Sequence, residues 1–179
     1  MSNFTVETRI PFTLDDVFRC YRDELPIIAK YIPNVKTIEV RERKEDAGVV
    51  KLVNHWRASA EVPGPLKSII TEEKLGWMDR AAWNDATKVC EWDLEITAFK
   101  EAVTCRGQTR FHPDGTGTRM VIAGDLQVDA TKVGIPVPRL LAGSIGKAVE
   151  AFAVALIKPN QEAVGKAVAR YLEEKKQKG

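Results

Sequence analysis

Apolar and polar residues alternate from the start of the chain, with Phe4, Val6, Thr8 and Ile10 on one side and Asn3, Thr5, Glu7 and Arg9 on the other. A period of two marks a half-buried strand, and this one stops at Pro11. Thr13 then precedes Leu14-Asp15-Asp16-Val17-Phe18, which reads as a helix start with an acidic first turn. Leu14, Val17, Phe18, Tyr21 and Leu25 recur at helical spacing until Pro26 interrupts, and Ile27 to Tyr31 form a second short helix ending before Pro33.

From Val35 to Val128 the period stays near two, and the pattern predicts strands over 35–44, 48–61, 74–83, 87–98, 102–112 and 117–128. Turn residues separate them. The strongest punctuation is His112-Pro113-Asp114-Gly115-Thr116-Gly117, a hairpin connection, followed by Asn84-Asp85-Ala86-Thr87 and Lys44-Glu45-Asp46-Ala47-Gly48. Connections this short make successive strands antiparallel neighbours. The prolines of Val62-Pro63-Gly64-Pro65-Leu66-Lys67-Ser68-Ile69-Ile70 bar regular pairing, so this stretch is expected to be a loop or helical turn.

After a second proline-restricted connection, Lys132 to Pro138, the period changes to that of a helix. Leu141, Ile145, Val149, Phe152 and Leu156 lie on one stripe, and Val164, Ala167, Val168, Tyr171 and Leu172 continue it beyond Pro159. Pro159 is expected to kink or restart the helix. The small residues Ala142, Gly143, Gly146, Ala148 and Ala151 predict a close approach to another surface.

Composition adds limits to this outline. A chain of 179 residues, 44% hydrophobic and 29% charged, fits one globular domain over residues 1–179. Its net charge of +2 is unevenly placed, because Lys166, Arg170, Lys175, Lys176 and Lys178 outnumber Glu173 and Glu174 near the end. A basic tail over about residues 173–179 is expected, and the nearly neutral body argues against nucleic acid as a partner. Cys20, Cys90 and Cys105 show no C-x-x-C spacing and cannot all pair. Reduced thiols, the lack of a secretory pattern in Met1–Glu7 and a longest apolar run of only Ala151 to Ile157 lead to the expectation of a cytoplasmic protein.

A strand, two short helices, six antiparallel strands and a long C-terminal helix follow one another in the order of the helix-grip fold. The chain resembles the START and pollen-allergen-like (SRPBCC) superfamily, which includes polyketide cyclases and aromatases, ubiquinone-binding proteins and lipid-transfer proteins. Locally, Val62–Ile70 after the strand carrying Trp56 and Ala58 is similar to the tryptophan strand and loop of PRELI-like phospholipid-transfer proteins. Gly124-Asp125-Leu126-Gln127-Val128 leading into Leu140–Ile145 is similar to that family's last strand and helix entry. The resemblance implies an α+β architecture, a curved sheet of about seven strands wrapped around the last helix, with an internal cavity between them.

Taking the apolar phase as inward, that cavity would be lined by Phe4 and Val6, by Val50, Leu52, Asn54 and Trp56, and by Cys90, Trp92, Leu94 and Ile96. Met120, Ile122 and Leu126 of the last strand and Ile145, Val149 and Phe152 of the helix would complete it. Such a lining suits a hydrophobic small molecule or lipid. Solid core packing explains most of these positions equally well.

Trp77 shares a face with Asp79, Ala81 and Trp83, and an inward phase would place a carboxylate in an apolar wall. The opposite phase turns Met78, Arg80 and Ala82 inward, and both remain open at this point. Asn54 is the cleaner polar candidate; His55 points the other way and His112 sits by a turn. Two histidines so placed make no zinc site, and no nucleophile elbow, phosphate loop or dinucleotide motif is present.

No cofactor is implied. The alternative to binding or transfer is a cyclase or aromatase-like enzyme in which Asn54, Asp79 or Arg80 orients a substrate and moves protons. Lys67, Lys132, Arg139 and Lys147 flank the expected cavity mouth, where they would meet a membrane surface transiently or remain solvated. The oligomeric state is left open.

Overall fold

The computed structural model describes residues 1–136 and 138–179. The proline-restricted connection before the last helix contains Val137, which lies outside the described residues. Seven strands form one antiparallel sheet: β1 (Ser2–Ile10), β2 (Val35–Asp46), β3 (Val49–Ala58), β4 (Gly76–Asn84), β5 (Val89–Ile96), β6 (Val103–Asp114) and β7 (Gly117–Val128). Their spatial order, β1-β7-β6-β5-β4-β3-β2, is a continuous meander with the first strand added beside the last. The fold is the α+β helix-grip class, a curved sheet with a long C-terminal helix and short helices after the first strand.

Local chemistry explains the element boundaries. Helix α1 (Leu14–Asp23) starts where the Thr13 hydroxyl accepts the Asp16 amide at 3.3 Å, and it buries Val17, Phe18, Cys20 and Tyr21. Pro26 occupies the first turn of α2 (Leu25–Ile28), where its missing N–H costs nothing. Gly115 takes φ +60 in the two-residue connection between Asp114 and Gly117, a backbone region that favours glycine. Val35 to Asp46 forms an edge strand whose outer half is almost wholly charged, which blocks pairing with another sheet.

The long helix α3 spans Ala142–Lys178. It does not restart at Pro159: the element is unbroken over 37 residues, with Leu156, Ile157 and Val164 on either side buried, so tertiary packing sustains the helix through the proline. The stripe becomes buried only from Val149 onward, since Ile145 is half-buried and Leu141 exposed. The basic residues near the end, Lys175, Lys176 and Lys178, lie in the last helical turns, where cations oppose the helix dipole favourably.

The close approach expected at the start of α3 falls on Gly146, where a Cβ would lie 3.0 Å from Ala130, and a tighter one lies further along. A Cβ on Gly143 would meet nothing within 4 Å, whereas one on Gly165 would lie 2.8 Å from three Thr8 side-chain atoms. The helix therefore presses hardest on β1 in its second half. Between Ala58 and Gly76 the chain forms two single 3-10 turns, Gly64–Leu66 and Glu72–Lys74, and the first packs against α3. Among the described residues no helix is long and apolar enough to cross a membrane.

Candidate functional site

Strand pairing assembles the polar residues of the interior. Val50, Leu52, Asn54 and Trp56 alternate inward on β3, and the register sets Asn54 opposite Asp79 and Trp56 opposite Trp77 on β4. The inward phase of β4 is the one that buries Trp77, Asp79, Ala81 and Trp83. Arg80 consequently faces out and lies 3.9 Å from Glu95, which removes it from any interior chemistry.

Asp79 is the centre of this cluster. Its Oδ2 accepts from Asn54 Nδ2 and from Trp56 Nε1, each at 3.3 Å. Both donors are neutral, and burial pushes the Asp79 carboxyl up to about 6, with the two hydrogen bonds pulling the other way. Such a group holds and releases a proton close to neutral pH. The Tyr21 phenol and Cys90 thiol are pushed up well above their usual range, first by burial and then by the negative charge of Asp79.

Four tryptophans stand on this face in three arrangements. Trp56 and Trp77 stack with ring centres 5.2 Å apart, and the Trp77 indole N–H has no hydrogen-bond partner. Trp83 packs edge-on against Phe18 and Tyr21 at 5.3 and 5.1 Å, and its N–H is likewise without a partner. Trp92 is anchored instead, donating to Thr109 Oγ1 at 3.1 Å. Its ring lies over Gly107 and Gly124, which are paired across β6 and β7, and reaches Phe4 on β1 at 6.2 Å. Those two glycines allow one indole to span three neighbouring strands, because a Cβ on either would strike it.

The chain's sequence matches the family described as polyketide cyclase/dehydrase and lipid transport over residues 1–173. It belongs to that family. Solved structures agree in fold. The Zhui aromatase/cyclase from Streptomyces sp. R1128 is 18% identical, with 96% of this chain and 95% of that one covered, at a TM-score of 0.62. Norcoclaurine synthase from Thalictrum flavum, solved with dopamine and hydroxybenzaldehyde, is 11% identical, with coverage of 97% and 87% and a TM-score of 0.60. A Thermus thermophilus protein, TTHA0849, is 19% identical, with coverage of 95% and 99% and a TM-score of 0.57. No curated protein sequence matches the chain. Membership of the polyketide cyclase/dehydrase and lipid transport family places the chain in a fold that binds hydrophobic ligands in general.

In this family member the expected lining residues Val50, Leu52, Asn54, Trp56, Trp77, Asp79, Trp92, Leu94, Met120, Ile122, Val149 and Phe152 are all buried, and Phe4 and Ile145 are half-buried. Asn54, Trp56 and Asp79 are joined directly by hydrogen bonds; Trp92 belongs to the separate group with Thr109 and Phe4. His55 faces outward, its Nδ1 3.3 Å from the Arg41 guanidinium.

Sequence reasoning missed three interior groups. Tyr21 enters from α1, and its helical spacing marked it only as core. Thr109 anchors Trp92 from the neighbouring strand. Asn160 is buried on α3, its Nδ2 donating to the Leu156 carbonyl at 2.6 Å and its Oδ1 without a partner. An amide directly after Pro159, on the helix's apolar stripe, was the available signal for the last.

Proposed function

We propose that the protein binds a small, largely apolar molecule bearing hydroxyl or carbonyl oxygens between the concave face of the sheet and α3, with Asp79 as its polar anchor. The observation that carries this reading is a buried carboxyl held by neutral donors alone, beside an Asn54 Oδ1 that no protein group satisfies. The N–H groups of Trp77 and Trp83 are buried and unpaired on the same strand. Leaving a buried polar atom unpaired costs about 1–3 kcal/mol, so a set of them is unfavourable for a core whose only task is packing. A ligand hydroxyl donating to Asn54 or Asp79, and ligand oxygens accepting from the indoles, would offset that cost.

A second reading rests on the ionisation of Asp79. A carboxyl titrating at about 6 in an apolar wall is suited to give or take a proton, as a cyclase or aromatase-like reaction requires. In that case Asp79 moves the proton and Asn54 orients the substrate. The buried, unpaired thiols of Cys20, Cys90 and Cys105 fit residence in a reducing compartment such as the cytoplasm.

Native mass spectrometry of the purified protein, followed by solvent extraction, tests the binding reading. A bound apolar compound that is displaced on denaturation and reduced in Asn54→Ala is the expected result. A spectrum of the bare chain alone, unchanged after incubation with hydroxylated aromatic compounds, would overturn it. Chemical change in an added polyketide-like compound, abolished by Asp79→Asn, would favour the enzymatic reading over simple binding.

A further inference from the structure

The connection between β7 and α3 combines two features that the interior site does not use. Leu140 is 97% exposed and Leu141 51%, side by side just before the helix. From Ala130 to Val149 the sequence carries Lys132, Arg139 and Lys147 and no acidic residue. All three cations are exposed; Lys132 lies 3.5 Å from Asp129, while Arg139 and Lys147 show no ion pair among the described residues. The segment is anchored in the core by Val133 and Val149, both buried, and within it Gly146 lies against Ala130 and the Leu141 amide donates to the Pro138 carbonyl at 2.8 Å.

We propose that this connection docks the protein on an anionic lipid surface, with Leu140 and Leu141 entering the acyl boundary and Arg139 and Lys147 meeting the headgroups. A leucine left in water at a fixed apex is stabilised by transfer out of it, and two leucines alone hold a surface only weakly. Basic residues supply the second attraction, each strengthening binding roughly fivefold near an anionic membrane. Charge complementarity selects the partner: a cationic segment with no acidic residue is attracted to negative headgroups and gains nothing electrostatically from a zwitterionic layer. The docking is independent of the interior reading and stands or falls without it.

Co-sedimentation with vesicles of phosphatidylcholine and phosphatidylglycerol in equal parts, against vesicles of phosphatidylcholine alone, provides the test. The full chain should bind the anionic vesicles preferentially, and added salt should weaken that binding. Leu140→Asp combined with Leu141→Asp should lower affinity at least about tenfold without lowering the thermal midpoint, because Leu140 is exposed, Leu141 is half exposed, and an aspartate at the start of α3 is favourable. Arg139→Glu with Lys147→Glu should lower it more than Lys175→Gln, Lys176→Gln and Lys178→Gln together. Absence of binding, equal binding to both vesicle types, or variants of the connection that bind as well as the parent would overturn the proposal. A larger effect from the helix-end lysines would also overturn it, by moving the contact to that end.

Discussion

Asn54 and Asp79 face each other across β3 and β4, and the amide of one donates to the carboxyl of the other at 3.3 Å while the amide's own oxygen has no partner. The arrangement is half-satisfied. It stabilises the carboxylate only in part, since no cation accompanies it, and burial dominates its ionisation.

Stability should therefore depend on pH through Asp79. The folded carboxyl titrates at about 6, above the ordinary aspartate value of 3.8, so between these values the native state holds more protons than the unfolded state. Stability contributed by this group is present at low pH and falls as pH rises through that window, by about 3 kcal/mol in total. Urea denaturation of Asp79→Asn should show the difference: comparable to the parent near the lower value and more stable than it by up to that amount above neutrality. A constant offset between the two proteins at every pH would show that Asp79 ionises normally.

The span of Trp92 across β6 and β7 depends on glycine. Gly124→Ala should destabilise by about 1–3 kcal/mol, because the added methyl meets the Trp92 and Phe4 rings, and the near-ultraviolet circular dichroism of the indole should change with it. Combining it with Trp92→Phe should cost less than the sum of the two single changes.

Two glycines of the same helix should respond in opposite directions. Gly143→Ala has open space and should stabilise by about 0.5–1 kcal/mol through helix propensity. Gly165→Ala should destabilise by about 1–3 kcal/mol despite the same gain, since Thr8 on β1 has to move. Thermal denaturation of the pair reads both signs.

Burial pushes the Cys20 and Cys105 thiols up to about 12 and Cys90 well above its ordinary range. None should react with a disulfide reagent at mildly alkaline pH while the protein is folded, and all three should react in denaturant. Rapid labelling of the native protein would show that the interior opens on the timescale of the reaction.

Much of this architecture is legible in the alternation of residues. Observed strand ends lie within a few positions of the expected ones, the largest difference being β3, which ends at Ala58 because Val62–Ile70 and the residues before it leave the sheet. Pairing is harder to read. The segment between β3 and β4 is long and irregular, so the opposition of Asn54 to Asp79 follows from the sheet as a whole. The phase of β4 is ambiguous in sequence because Ala81 and Ala82 are adjacent and Met78 and Arg80 interrupt the contrast; the bulk of Trp77 and Trp83 decides it. Tyr21 arrives from a helix far away in sequence, and Pro159 is tolerated because buried neighbours outweigh one lost backbone bond.

Tryptophan-quenching titrations of the parent and Asp79→Leu, with 2-naphthol and with naphthalene near neutral pH, test the proposed polar anchor most directly. The parent should bind the hydroxylated compound about tenfold or more tightly than the hydrocarbon, as a hydrogen bond to a charged group would give. The preference should disappear in Asp79→Leu while hydrocarbon binding remains. Equal affinity for the two compounds in the parent, or a preference that survives in the variant, would contradict an interior ligand site anchored on Asp79.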